Sequence, residues 1–99
     1  MSSHTFEIVH FAFRPEVPLA DQRAWMARVG AFAARAPGFV RRSYYRAEDS
    51  GRWVDLVVWT DAAHAKAAAE TLMADPELGP TMALLDEASL SFGHYHQEG

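Results

Sequence analysis

Residues 53–59 carry the clearest alternation of side chains in the chain, and it ends at Thr60-Asp61, where a helix-forming segment begins. Alternate residues of a strand point to opposite faces of its sheet. One face of this predicted strand mixes aromatic and acidic residues: Trp53, Asp55, Val57 and Trp59. The other face is aliphatic: Val54, Leu56 and Val58. The strand therefore predicts two different environments on the two sides of its sheet.

Similar patterns place the other elements on either side of this strand. β-Branched and aromatic residues favour strands, apolar residues at three- and four-residue steps favour helices, and proline and glycine interrupt both. In chain order the sequence predicts a strand at residues 5–13, a helix at 19–36, strands at 39–46 and 52–60, a helix from 61 to 75, a short helical piece at 77–85 and a strand at 88–96. The loop 47–51 joins the two middle strands into a β-hairpin.

The β-α-β-β-α-β order predicts an α+β fold of the ferredoxin-like type, in which both helices cover one face of a four-stranded antiparallel sheet. We expect a single domain over residues 1–99, because a chain of this length builds one core. The other sheet face would then lie open. Six apolar residues are assigned to that face: Val9, Phe11, Phe13, Val54, Leu56 and Val58. Because such a surface is too apolar for water, we expect a homodimer through the open sheet face.

Composition narrows the functional classes. The net charge is −4, from 13 acidic and 9 basic residues, and an acidic total argues against nucleic-acid binding. Without cysteine, the chain forms neither a disulfide framework nor a thiolate metal site. The first residues lack the basic and apolar segments of a signal peptide, and no apolar run is long enough to span a membrane. We therefore expect a cytoplasmic protein with no membrane association.

Three features together resemble the dimeric α/β-barrel superfamily, and within it the antibiotic-biosynthesis-monooxygenase-like and the stress-responsive barrel proteins. They are the strand-end Trp59 followed by Thr60-Asp61 and an alanine-rich helix, the Pro37-Gly38-Phe39 start of the second strand, and the Ile8-Val9-His10-Phe11 segment of the first. The resemblance implies a dimeric α/β barrel whose ligand pocket lies between sheet and helices. It also implies that Trp59 lines that pocket. The alternative is that Trp59 is a core aromatic beneath the second helix.

Asp55 is unusual because it lies between two tryptophans, and a buried carboxylate is costly unless it is paired. If the hairpin pairs Arg46 with Arg52, two partners share the face of Asp55: Arg41 and Tyr45. A slip of one residue would substitute Arg42 and Tyr44. In either register an arginine and a tyrosine approach Asp55. They form with it either a structural pair or a polar anchor for a ligand.

His10 lies in the middle of the first predicted strand, in register with Phe6, Ile8 and Ala12. Since the first strand neighbours the third in this fold, we expect His10 on the face of Asp55 and Trp59. A carboxylate nearby would hold the tautomer of the imidazole and raise its basicity, as a general base requires. The alternative is a hydrogen-bonded core histidine. The catalytic candidates are His10 and Asp55, and the ligand-binding candidates are Trp59, Trp53, Tyr45 and Arg41.

Histidines near the end of the chain raise the question of a metal site. His94 and His96 share one face of the last predicted strand, and His4 lies across the ladder on the first. Two or three imidazoles so placed can bind a divalent metal. No acidic ligand is near them in the sequence pattern, and terminal strands fray. We therefore predict no metal site and no cofactor.

Three functions follow, and the first comes from the resemblance: a cofactor-independent monooxygenase that oxidises an aromatic or polyketide-like substrate. A base, His10 or Asp55, would remove a phenolic proton, the resulting carbanion would reduce O₂, and an apolar pocket would exclude water. Tyr45 and Arg41 would orient the substrate, and Trp59 would stack on it.

The second is haem binding or degradation, as in some barrel proteins. Against it, the second helix offers only His64, near its start, and the asparagine expected on the first strand is not evident. The third is binding of a small hydrophobic ligand, or a stress-associated role, without catalysis. The absence of a glycine-rich phosphate loop, a Gly-x-Ser-x-Gly elbow and a His-Glu-x-x-His helix excludes nucleotide-dependent chemistry and serine-triad hydrolysis.

Overall fold

The computed structural model describes residues 3–99 and has the architecture that the sequence predicts. In chain order its elements are β1 (Thr5–Phe11), α1 (Leu19–Ala34), β2 (Phe39–Arg46), β3 (Trp53–Trp59), α2 (Ala62–Ala74), two 3₁₀ helices (Gly79–Leu84 and Glu87–Ser89) and β4 (Ser91–Tyr95). The strands form one antiparallel sheet in the order β2-β3-β1-β4. The α+β, ferredoxin-like fold is therefore confirmed. Within residues 3–99, neither α1 nor α2 has the length and apolar character needed to cross a membrane.

The ends of α2 follow local rules. Asp61 caps its start and accepts a hydrogen bond at 2.8 Å from the backbone N–H of His64. The ring Nδ1 of His64 lies 2.8 Å from the same oxygen. These hydrogen bonds, the backbone one first, lower the pKa of the Asp61 carboxyl below its ordinary value of 3.8. The helix ends before Pro76, because the residue that precedes a proline avoids helical geometry.

The first strand ends two residues earlier than predicted, but the residues that follow it still pair with the segment before β4. Phe13 forms an isolated antiparallel bridge with Leu85. On either side of that bridge, Arg14 N donates to Leu84 O and Asp86 N donates to Ala12 O, both at 2.9 Å. This contact closes the sheet end against the segment that leads into β4.

The core consists of two clusters beneath the helices. The larger contains seven buried residues: Phe11, Phe13, Val17, Trp25, Met26, Trp53 and Leu85. Its aromatic rings meet edge to face, for example Phe13 and Trp25 with centroids 5.5 Å apart, the arrangement that aromatic quadrupoles favour. The smaller cluster contains Val57, Trp59 and Ala65. The core therefore leaves a boundary between the clusters, midway along the sheet.

The two faces of β3 are as predicted, but those of β1 are reversed. Val9 pairs with Asp55 and Phe11 with Trp53, so Val9 and Phe11 face the helices. The expectation that Val9, Phe11 and Phe13 belong to the open face is therefore wrong. The open face of β1 carries Phe6, Ile8 and His10 instead. The pattern misled because apolar residues occur on both faces of this strand, and only the pairing register separates them.

We expect Gly38→Ala to destabilise the protein more than Gly51→Ala. Both glycines have positive φ, 83° and 74°, where an alanine costs about 1–2 kcal/mol. At Gly38 an added Cβ would also collide with the His64 side chain, whereas at Gly51 it would meet only the flexible end of Arg46. Overpacking at Gly38 adds about 1–3 kcal/mol. Urea denaturation of both variants measures the difference, and equal losses would contradict this account.

Candidate functional site

A cavity of about 130 Å³ lies between the sheet and the helices, at the boundary of the two core clusters. Its walls are mostly apolar and come from β1, β3, both helices and the segment before β4; among the wall residues are Phe11, Trp25, Val29, Phe32, Val57, Trp59, Ala68, Leu72, Met82 and Leu85. Three titratable side chains of the described residues also line it, all from the sheet: Glu7, Arg42 and Asp55. An apolar space of this order accommodates a single aromatic ring.

Arg42 and Asp55 form a buried ion pair in the wall of this cavity. Arg42 donates from Nε to Oδ1 and from Nη2 to Oδ2 of Asp55, both at 2.8 Å. The two side chains are only 7% and 11% exposed. The third donor, Nη1, reaches the carbonyl oxygen of Met26 in α1, also at 2.8 Å. Because Arg42 binds each oxygen of Asp55, the geometry favours the structural role for this carboxylate over that of a general base.

Gly30 allows Arg42 to reach the helix. A Cβ at this position would collide with Nη1 of Arg42. Gly30 lies one turn beyond Met26, so its bare backbone leaves room beside the carbonyl that Arg42 binds. No role for Gly30 is predicted from the sequence alone. A glycine inside a helical pattern, which costs helix stability, is the signal that points to it.

A bulge at Val40 explains why the hairpin register differs from the one in which Arg46 pairs with Arg52. Phe39 pairs with Trp59, but Arg41 pairs with Val58, so Val40 is an extra residue in a β-bulge. Beyond the bulge the pairing is shifted by one residue. A ladder that pairs Arg46 with Arg52 would put Ser43 opposite Asp55, whereas Tyr44 lies there in the structure. The slipped register is therefore the observed one.

The shift corrects two ligand-binding candidates. Arg41 and Tyr45 pair with Val58 and Val54, on the open face of the sheet, and neither lines the cavity. Their places on the helix side are taken by Arg42 and by Tyr44, whose ring stacks on the Arg42 guanidinium with Cζ 4.3 Å from the ring centroid. A bulge has no distinctive sequence signal here.

The structure also separates His10 from Asp55. His10 pairs with Val54 and is exposed on the open face, whereas Asp55 faces the helices. The expectation that His10 shares a face with Asp55 and Trp59 is wrong, because Val9 is the residue opposite Asp55. His10 therefore does not line the cavity.

The two candidate tryptophans differ in their relation to the cavity. Trp59 is 2% exposed, lines the cavity and packs edge to face against Phe39. Trp53 is also buried, but it belongs to the larger core cluster, donates from Nε1 to Gln22 Oε1 at 2.9 Å and does not line the cavity. Of these two candidates, the geometry thus places only Trp59 where a ligand could contact it.

Glu7 lines the cavity but is not among the site residues that the sequence predicts. Its Oε1 accepts a hydrogen bond from the indole Nε1 of Trp59 at 3.2 Å, and its Oε2 lies 3.4 Å from Nε2 of His94. His94 is directly opposite Glu7 on the edge strand β4. An acidic residue at a helix-facing position of an otherwise apolar strand is the signal that points to this cluster.

His94 therefore has a carboxylate partner that the sequence pattern did not reveal. Among residues 3–99, however, no group of three or more histidine, aspartate or glutamate side chains is arranged to hold a metal ion. The pair is better described as an ionisable contact beside the cavity than as a metal centre.

An outer groove of about 370 Å³ runs along the end of α1 and the adjacent face of α2. Phe32 and Ala68 line both the groove and the cavity, so they form the partition between them. Arg35 and His64 line the outer groove but not the cavity. His64 is thus held by Asp61 at the start of α2 and lies outside the cavity.

Solved structures share this fold over nearly the whole chain. SnoaB, a cofactor-independent oxygenase from Streptomyces nogalater, is 28% identical, with 98% of this chain and 93% of SnoaB covered at a TM-score of 0.68. An antibiotic-biosynthesis-monooxygenase-like protein from Nitrosomonas europaea is 15% identical, with 98% and 92% covered and a TM-score of 0.78. A similar protein from Bordetella bronchiseptica is 18% identical, with 98% and 99% covered and a TM-score of 0.72.

The chain matches no protein-family model and no curated protein sequence. The structural likeness nevertheless confirms the predicted resemblance: the chain has the fold of the antibiotic-biosynthesis-monooxygenase-like proteins.

We expect Arg42→Ala to lower the free energy of unfolding by about 3–5 kcal/mol, because it leaves the Asp55 carboxylate buried without its partner. Replacing both residues with apolar ones, Arg42→Met with Asp55→Leu, should recover most of that loss. Arg41→Ala is the matched control, since Arg41 lies on the open face and its guanidinium only stacks 5.9 Å from the Phe6 ring centroid. Thermal and urea denaturation compare the three. A larger loss in Arg41→Ala would contradict the assigned register.

Proposed function

We propose that this chain is a cofactor-independent monooxygenase that oxidises an electron-rich aromatic or polyketide-like substrate in the cavity between sheet and helices. The observation that carries the proposal is the likeness to SnoaB, a cofactor-independent oxygenase, over 98% of this chain. The apolar cavity wall that includes Trp59 is consistent with an aromatic ligand.

The proposed reaction converts an activated methylene group of the substrate to a carbonyl group. Removal of a proton leaves a carbanion that is stabilised by the neighbouring ring and carbonyl. The carbanion reduces O₂, one oxygen atom enters the product and the other leaves as water. The apolar walls would protect the carbanion from water during this sequence.

The volume of the cavity limits the size of the substrate that it can bind. A volume of about 130 Å³ accommodates one ring and is smaller than the roughly 300–1,000 Å³ of typical ligand pockets. A substrate with several fused rings requires the partition of Phe32 and Ala68 to move, which would join the cavity to the outer groove. We propose that multi-ring substrates enter by this route.

We expect oxygen uptake with 1,8-dihydroxyanthrone, measured with an oxygen electrode, and one labelled oxygen atom in the quinone product when the gas is ¹⁸O₂. Ala68→Phe should reduce kcat/KM about tenfold or more, because the new ring occupies the cavity and displaces the substrate. Ala63→Phe, at an exposed position of the same helix that lines neither space, should leave uptake unchanged. Absence of uptake by the unmodified protein with every activated phenol would reject the proposal.

Binding of a small hydrophobic ligand without catalysis is the second candidate. The observation that favours it is the complete engagement of Asp55 by Arg42, which removes one of the two bases first considered, while His10 faces away from the cavity. Ligand binding without oxygen uptake would support it. No contact of the described residues favours the haem alternative, since His64 lies outside the cavity.

We also propose that two copies of the chain associate through the open sheet face. This face carries Phe6, Ile8, Val54 and Leu56, together with the exposed rings of Tyr45 and Tyr95. An apolar surface of this kind on a small protein is suited to a two-fold contact, in which each copy buries the same residues of the other.

We expect sedimentation equilibrium to give twice the mass of one chain. Leu56→Asp, in the centre of the open face, should give a monomer, because the dimer would bury an unpaired charge. Met73→Asp is the control: Met73 is an exposed apolar residue of α2 on the other side of the molecule and should leave the dimer intact. A monomeric unmodified protein would reject the proposed association.

A further inference from the structure

We propose that Glu7 and His94 form a proton-transfer pair that removes an acidic C–H proton from an aromatic ketone bound in the cavity. The chain would then also catalyse exchange between keto and enol forms when oxygen is absent. This inference rests on the proposed function for its substrate class, but it concerns the proton step alone.

The choice of Glu7 follows from what the other polar groups already bind. Three titratable residues line the cavity, and two of them, Arg42 and Asp55, are bound to each other through two hydrogen bonds of 2.8 Å. The helices and the segment before β4 contribute only apolar side chains to the wall. Among the wall residues that the structure describes, Glu7 is thus the carboxylate that forms no bidentate ion pair.

The sheet places Glu7 between a cavity wall and a route to solvent. On the helix side, one row of side chains crosses the four strands: Arg42, Val57, Glu7 and His94. Val57 separates Glu7 from the Arg42 guanidinium, so the nearest ionisable neighbour of Glu7 along this row is His94 on the edge strand. The side chains of Glu7 and His94 are 14% and 26% exposed, so accessibility increases from the cavity towards the edge.

The two carboxylate oxygens of Glu7 have different hydrogen-bond partners. Trp59 donates to Oε1 at 3.2 Å, which fixes the orientation of the carboxylate beside the ligand space. Oε2 faces the imidazole of His94 at 3.4 Å. Trp59 thereby acts as a positioning residue for Glu7 in addition to lining the cavity.

The proton step balances without a redox partner. The C–H bond next to the substrate carbonyl breaks, its electron pair moves into the carbonyl group to give an enolate, and the proton passes to Glu7. Nε2 of His94, in the tautomer that carries no hydrogen there, accepts the proton from Glu7 and releases it to water. Return of a solvent proton to the same carbon completes an exchange cycle, whereas O₂ would divert the enolate to oxidation.

The experiment follows hydrogen exchange in the absence of oxygen. The folded protein is incubated anaerobically in D₂O with 2-indanone, a small ketone whose CH₂ groups are acidic, and their proton NMR signal is recorded with time. With the unmodified protein, this proton signal should decrease faster than it does in buffer alone. Glu7→Gln should reduce the catalysed rate about 10²–10⁴-fold, because the amide keeps the shape but accepts no proton.

Matched variants separate proton transfer from general damage. Glu70→Gln and His96→Ala make the same changes at exposed positions outside the cavity wall and should exchange at the unmodified rate. Glu7→Asp retains a carboxylate set back by one methylene and should keep a measurable rate. His94→Ala should lose rate and recover it when imidazole is added, which a purely structural role for His94 would not produce.

Two results would overturn the inference: no exchange above the buffer rate by the unmodified protein, or exchange by Glu7→Gln at the unmodified rate. If Glu7→Gln does not fold, Glu7→Asp and the imidazole rescue of His94→Ala decide the question. Oxygen uptake is measured separately. The monooxygenase proposal can therefore fail while exchange persists, and the Glu7–His94 pair can fail while oxygen uptake persists.

Discussion

The ion pair between Arg42 and Asp55 is the interaction on which the rest of the site depends. It joins the two hairpin strands side by side, and through the Met26 carbonyl it ties the hairpin to α1. Neither charge could remain buried without the other. The position of α1 over the sheet is therefore set by a hydrogen-bond geometry as well as by apolar packing, and Gly30 is the residue that permits the close approach.

The same interaction accounts for the cavity. Apolar side chains from the two core clusters line the space around the pair, but a guanidinium and a carboxylate with fixed hydrogen bonds cannot interdigitate as aliphatic groups do. Two carboxylates then lie in the same wall with different partners. Asp55 meets a permanent cation, whereas Glu7 meets an indole N–H and an imidazole. Different environments give chemically identical groups different roles.

The sequence predicts the fold well because each element has a local cause. The alternation in β3, the capping Asp61 and the Asp75-Pro76 stop are all readable from neighbouring residues. The candidate site depends on how strands pair, which is not local. Because β1 has apolar residues on both faces, its sequence does not determine which face meets the helices. His10 is therefore predicted on the helix side, where the structure has Val9. The Glu7–His94 contact joins residues 87 positions apart and has no spacing pattern that could reveal it.

The bulge at Val40 determines which side chains of β2 face the cavity. If Val40 paired with Val58 without a bulge, a regular ladder continued from the Phe39–Trp59 pair would bring Arg41, Ser43 and Tyr45 to the helix side and turn Arg42 and Tyr44 outward. Deletion of Val40 itself would remove the bulge and keep the pairs from Arg41–Val58 to Arg46–Trp53 in place. When related chains are aligned across this strand, a gap misplaced by one position would compare side chains from opposite faces of the sheet.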